Sequence, residues 1–106
     1  MPRYLVTASY TPEGVKGVLK KGGTARVESV THAVEALDGK VRSFDFAFGA
    51  DDAILVIELP DNVSAAALSL AVSATGLVAV RVVPLITPAE IDEAAKKSVA
   101  YTPPGG

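Results

Sequence analysis

A chain of 106 residues suits one domain built around one hydrophobic core. Hydrophobic residues at 49% against 21% charged exclude a disordered chain, and a formal net charge of −2 argues against a nucleic-acid binder, which needs a basic stripe. With no cysteine, disulfides, thiolate metal sites and thiol catalysis are excluded. The opening residues carry no long apolar signal core, and no segment reaches the roughly 18 apolar residues of a membrane span. The expectation is a soluble cytoplasmic protein without a membrane or nucleic-acid partner.

Tyr4–Tyr10 reads as a strand, with Tyr4, Val6, Ala8 and Tyr10 on one face and Leu5, Thr7 and Ser9 on the other. Thr11 and Pro12 then supply an N-cap and a first helical residue. The helix runs over Pro12–Lys21, is interrupted at Gly22-Gly23, and restarts over Thr24–Leu37 with Thr24 as its cap. Val27, Val30, Val34 and Leu37 form its apolar stripe. Asp38-Gly39 ends it, with Gly39 expected in the left-handed conformation.

Val41–Asp61 reads as a β-hairpin closed by Gly49-Ala50-Asp51-Asp52. Alternation sets Arg42, Phe44, Phe46 and Phe48 on one face of its first strand, and Ser43, Asp45 and Ala47 on the other. The second strand, Ala53–Leu59, is apolar on both faces until Glu58. Asp61 or Asn62 caps a helix over Val63–Thr75, ended by Gly76. Leu77–Ile86 is the fourth strand, and Thr87-Pro88 opens a last helix reaching about Val99. The stretch 101–106 is too rich in Pro and Gly for regular structure and is an extended or disordered tail behind a single domain over 1–100.

This order is the β-α-β-β-α-β ferredoxin-like pattern: an α+β fold with a four-stranded antiparallel sheet, helices on one face and an extra C-terminal helix. A sheet covered on one side should alternate apolar and polar residues. Ile54–Ile57 and Val78–Val83 do not, apart from Arg81. Such a face marks an interface, so the expectation is a homo-oligomer joined through the sheet. The alternative is that the last helix folds back over it.

Asp45, Glu58 and Arg81 are charges inside strands, and Thr7 and Ser9 can share their face. Together they make a candidate polar site for a small ligand or a general base, with Arg81 neutralising the two carboxylates. They read equally as ion pairs that fix register. His32 is the one histidine and reads as an exposed helix residue; no partners accompany it for a metal site, and no cofactor is called for. Phe44, Phe46 and Phe48 read as core or as the wall of a pocket for a planar ligand; the RNA-recognition signature is absent. Lys16, Lys20, Lys21 and Arg26 cluster around the Gly22-Gly23 break, where a helix start can hold an anion or simply face solvent.

Over about residues 2–95 the sequence resembles the GYD-domain family of small bacterial and archaeal proteins. The likeness rests on Tyr4-Leu-Val-Thr, on Thr11-Pro-Glu-Gly14, on Arg26, on Asp38-Gly-Lys-Val41, and above all on Phe48-Gly-Ala-Asp-Asp52 followed by Glu58-Leu-Pro-Asp61. Gly49, Asp52, Glu58, Pro60 and Asp61 match the family's pattern, while Asp51 stands where its tyrosine is expected. The resemblance implies a ferredoxin-like domain similar to the dimeric α+β-barrel superfamily, oligomeric through the sheet. It implies no catalytic residues. The functional expectation is an oligomeric domain that binds a small molecule or acts as an accessory protein. The alternatives are a cofactor-independent oxygenase or isomerase with its pocket between helices and sheet, and an assembly unit whose tail docks on a neighbour.

Overall fold

Residues 1–106 are described by a computed structural model, in the order β1 (Arg3–Tyr10), α1 (Pro12–Lys21), α2 (Gly23–Ala36), β2 (Lys40–Phe46), β3 (Ala53–Glu58), α3 (Asn62–Ser73), β4 (Val78–Leu85) and α4 (Pro88–Ala95). The caps follow residue chemistry. Thr11 Oγ1 accepts from the Gly14 amide at 3.3 Å and Asp61 Oδ1 from the Ser64 amide at 2.8 Å. Thr87 and Glu90 form a complete capping box on α4.

The sheet is antiparallel with order β2-β3-β1-β4. Tyr4, Val6, Ala8, Leu55, Ile57 and Val78 point to one face, where α2 and α3 cover them with Val34, Ala65 and Leu68. Tyr4 is 1% exposed, and its hydroxyl is satisfied by Asn62 Oδ1 at 2.7 Å. Leu5 and Val56, with Val83 beside them, fall on the other face, which no helix covers.

Several local expectations are corrected. The cap of α2 is Gly22, at φ 87°, and Thr24 lies inside the helix; only glycine turns the chain there without strain. The left-handed residue after α2 is Asp38, at φ 61°. Gly39 is needed for space, because a Cβ on it would stand 2.5 Å from the Glu58 carbonyl oxygen. A bulge between Val41 and Ser43 shifts the phase of β2. Arg42 therefore leaves the Phe44–Phe46 face and pairs with Glu58 at 3.5 Å. Phe48 lies beyond the strand and is fully exposed.

The last helix ends at Ala95 rather than near Val99, and it does not fold back. It makes at most marginal contact with any other element, and Ile86, Ile91, Val99 and Tyr101 are exposed. The arm gives the molecule a long axis of 55 Å and a radius of gyration of 16.9 Å, against about 13 Å for a compact domain of this size.

Candidate functional site

The register of the sheet places Thr7, Ser9, Asp45, Glu58 and Arg81 on the uncovered face. Thr7 lies directly opposite Arg81 on β4 and Ile54 on β3, and Ile54 in turn lies opposite Asp45. Ser9 is one step further along β1, beside the β2–β3 loop. Glu58 is at the other end, between Arg3 and Lys40, with Val56 separating it from the rest. Arg81 neutralises neither Asp45 nor Glu58. It pairs with Asp51 at 3.3 Å, and Glu58 pairs with Arg42. The Thr7 hydroxyl oxygen is buried without a hydrogen-bond partner.

The hairpin loop explains why Asp51 prevails. Asp52 donates its amide to the Ala8 carbonyl at 2.8 Å, and its Oδ2 accepts from the Tyr10 amide at 2.8 Å. Ser9 Oγ donates to the Ala50 carbonyl at 3.0 Å. The loop is thereby folded over the end of β1, which brings Asp51 within reach of Arg81. These bonds also fix Tyr10 where β1 gives way to α1.

On the helix side Tyr10 meets a second space, between helices and sheet. α2 and α3 both lie over the sheet but scarcely touch each other, leaving a cleft of about 470 Å3. Val18, Leu68, Val72 and Val78 form its apolar walls, and Lys20, Lys21 and Arg26 stand at its rim. Beneath it a narrow crevice of about 40 Å3 reaches Val6, Val30, Phe44 and Leu55. Arg26 and Tyr10 line both spaces. Arg26 Nε donates to the Tyr10 hydroxyl at 3.2 Å, with the guanidinium carbon 5.7 Å from the ring centroid. One signal for this site is present in the sequence: Arg26, Val30 and Val34 are spaced by four, which puts an arginine on the inward stripe of α2.

Phe44 and Phe46 pack on each other with ring centroids 5.2 Å apart. Phe46 also lies against Gly23, where a Cβ would come within 3.0 Å of its ring. His32 is exposed on α2, away from both sites. No group of three or more His, Cys, Asp or Glu side chains is gathered closely enough to hold a metal ion. No helix is long and apolar enough to cross a membrane.

The family profile described as GYD domain matches residues 4–95, nearly the whole folded body. The chain belongs to the GYD-domain family. No curated protein and no solved structure matches it. In this GYD domain, Asp52 clamps the loop to β1, Glu58 pairs with Arg42, and Asp61 caps α3. Three residues quoted for the family likeness thus have structural work in the fold. Asp51, in the position of the family's tyrosine, serves the ion pair with Arg81.

Proposed function

We propose that this GYD domain binds a small molecule and works as a homo-oligomer. The observation that carries the binding reading is the cleft between α1/α2 and α3, whose volume lies in the range of small-molecule sites. Its walls are apolar and the polar groups meeting there are mostly donors: Arg26, Tyr10, Lys20 and Lys21. The one acid on its rim, Glu13, is paired with Lys16 at 3.3 Å. Donors around an apolar hollow favour holding a ligand over abstracting a proton from one, so binding is preferred to a cofactor-independent isomerase or oxygenase.

The oligomer is supported by the uncovered face. Leu5, Val56 and Val83 form an apolar row across it, and Ile54, at 39% exposed, adjoins the row. Lys40, Arg3 and the Arg42–Glu58 pair lie on one side of that row, Asp45 and the Arg81–Asp51 pair on the other. A two-fold axis along the row reverses the strands of the second copy, so that Lys40 and Arg42 of each copy face Asp45 of the other. Apolar area is then buried at about 25 cal/mol per Å2 with opposite charges in register. The bound ligand and the partner copy occupy opposite faces of the sheet.

Analytical ultracentrifugation checks the assembly. The chain should sediment as a multiple of 10.9 kDa at micromolar concentration. Asp45→Lys should weaken association, and adding the Lys40→Glu/Arg42→Glu chain should restore it as a mixed species. A wild-type monomer at that concentration overturns the oligomer.

A further inference from the structure

Arg26 is half-buried, and the ion pairs of this chain are Lys16–Glu13, Arg42–Glu58 and Arg81–Asp51; none includes it. Within the chain its one side-chain hydrogen bond is to the neutral Tyr10 hydroxyl. A guanidinium carries five donors in a planar fork; here Nε alone has a partner in the chain, and the side chain lines a cleft whose walls are partly apolar. Holding a cation in such surroundings without a counter-charge is costly, and an arriving anion relieves that cost. The Tyr10 hydroxyl uses a lone pair to accept from Arg26, and no acceptor in the chain takes its own proton. Two groups with donors to spare therefore stand side by side in the lining of both spaces. Lys20 and Lys21 add positive charge to the rim.

The space behind Arg26 and Tyr10 is apolar and tapers. The crevice below holds about 40 Å3, more than the room one water needs, which suits a slender chain end. Apart from Tyr10, Arg26 and Ser69, its lining is hydrophobic, from Val6 and Val30 to Phe44, Leu55, Val80 and Val82. We propose that the cleft takes an aliphatic monocarboxylate, with the carboxylate held by the Arg26 fork and the Tyr10 hydroxyl, and the alkyl body running between α2 and α3 toward the crevice. Arginine suits this role because its fork matches the two carboxylate oxygens. The inference rests on the cleft being a binding site and adds the class of ligand.

The test is NMR titration of the full-length protein with octanoate, 1-octanol and inorganic phosphate. Octanoate should shift the amides around Tyr10, Arg26 and Val72, and 1-octanol should bind at least tenfold more weakly. Arg26→Gln should lose at least tenfold in octanoate affinity. Arg26→Lys should fall between the two, since it keeps the charge and loses the fork. Tyr10→Phe should lose severalfold. The amide spectrum of each variant reports directly that it is folded.

Equal affinity for octanol and octanoate, or an Arg26→Gln chain that binds as well as wild type, overturns the carboxylate assignment and leaves the cleft as an apolar site. Displacement of octanoate by equimolar phosphate overturns it in favour of a general anion site. No shift with either octanoate or octanol overturns the binding reading itself.

Discussion

The two faces of the sheet are built from the same strands, yet they have different compositions and different fates. On β3, Leu55 and Ile57 are 4% and 0% exposed, while Ile54 between Ala53 and Leu55 is 39% exposed. The buried face is closed by α2 and α3; the other carries its apolar row into solvent, rimmed by charges of both signs. Burial within one chain therefore accounts for only half of what these strands contain. The remaining apolar row is what the proposed self-association would bury.

The largest effect should come from the covered face. Ile57→Ala leaves a cavity beneath the helices and should cost about 2–5 kcal/mol in urea unfolding. Val56→Asp, one residue away on the open face, should cost the single chain far less while reducing self-association at least tenfold by ultracentrifugation. Equal destabilisation by the two substitutions would erase the difference between the faces. Tyr4→Phe removes a bond on the covered face that joins β1 to the start of α3, and should cost about 1 kcal/mol. Thr7→Val should stabilise the chain by up to about 1 kcal/mol, because it replaces a buried, unpartnered hydroxyl with a methyl group.

The smallest effect is acid sensitivity at the helix caps. The Ser64 backbone amide, followed by its side chain, holds Asp61 below its ordinary value of 3.8, and Thr87 does the same for Glu90, below 4.5. A carboxylate whose pKa is lowered on folding contributes stability above its unfolded pKa and loses it as pH falls through the folded value. The caps should therefore hold at neutral pH and weaken on acidification, that of α4 below about pH 4.5 and that of α3 below about pH 3.8, read by circular dichroism during acid titration. Asp61→Asn, which still caps, should flatten that response at α3.

Most of the fold was legible because its signals are local. Thr11-Pro12, Asp61 and Thr87-Pro88 start helices where their side-chain oxygens meet free amides, and the Gly22 break follows from backbone freedom. The inward face of β1 follows from alternation, whereas β3 is apolar on both faces and its inward side is set by its register with β1. The errors arose where a distant contact decided the outcome. The bulge beside Arg42 depends on how β2 meets Glu58, and Gly39 is required by a carbonyl on β3. The polar candidates did share a face, but Arg81 found Asp51 because the Asp52 clamp carries the loop over β1. The sequence shows Arg26 as part of a basic cluster; its pairing with Tyr10 needs the end of β1 to lie beside the start of α2, which no local pattern states.

The projecting α4 has a consequence for how this protein is studied. An isolated helix of eight residues is marginal in water even with a good cap, because the first turn costs more order than it returns in hydrogen bonds. Since its own body gives α4 almost no support, the helicity of 88–95 becomes a gauge of whether another surface lies against it. Dilution that melts this segment while the sheet amides stay protected against hydrogen exchange would mark the arm as an element that folds only on contact.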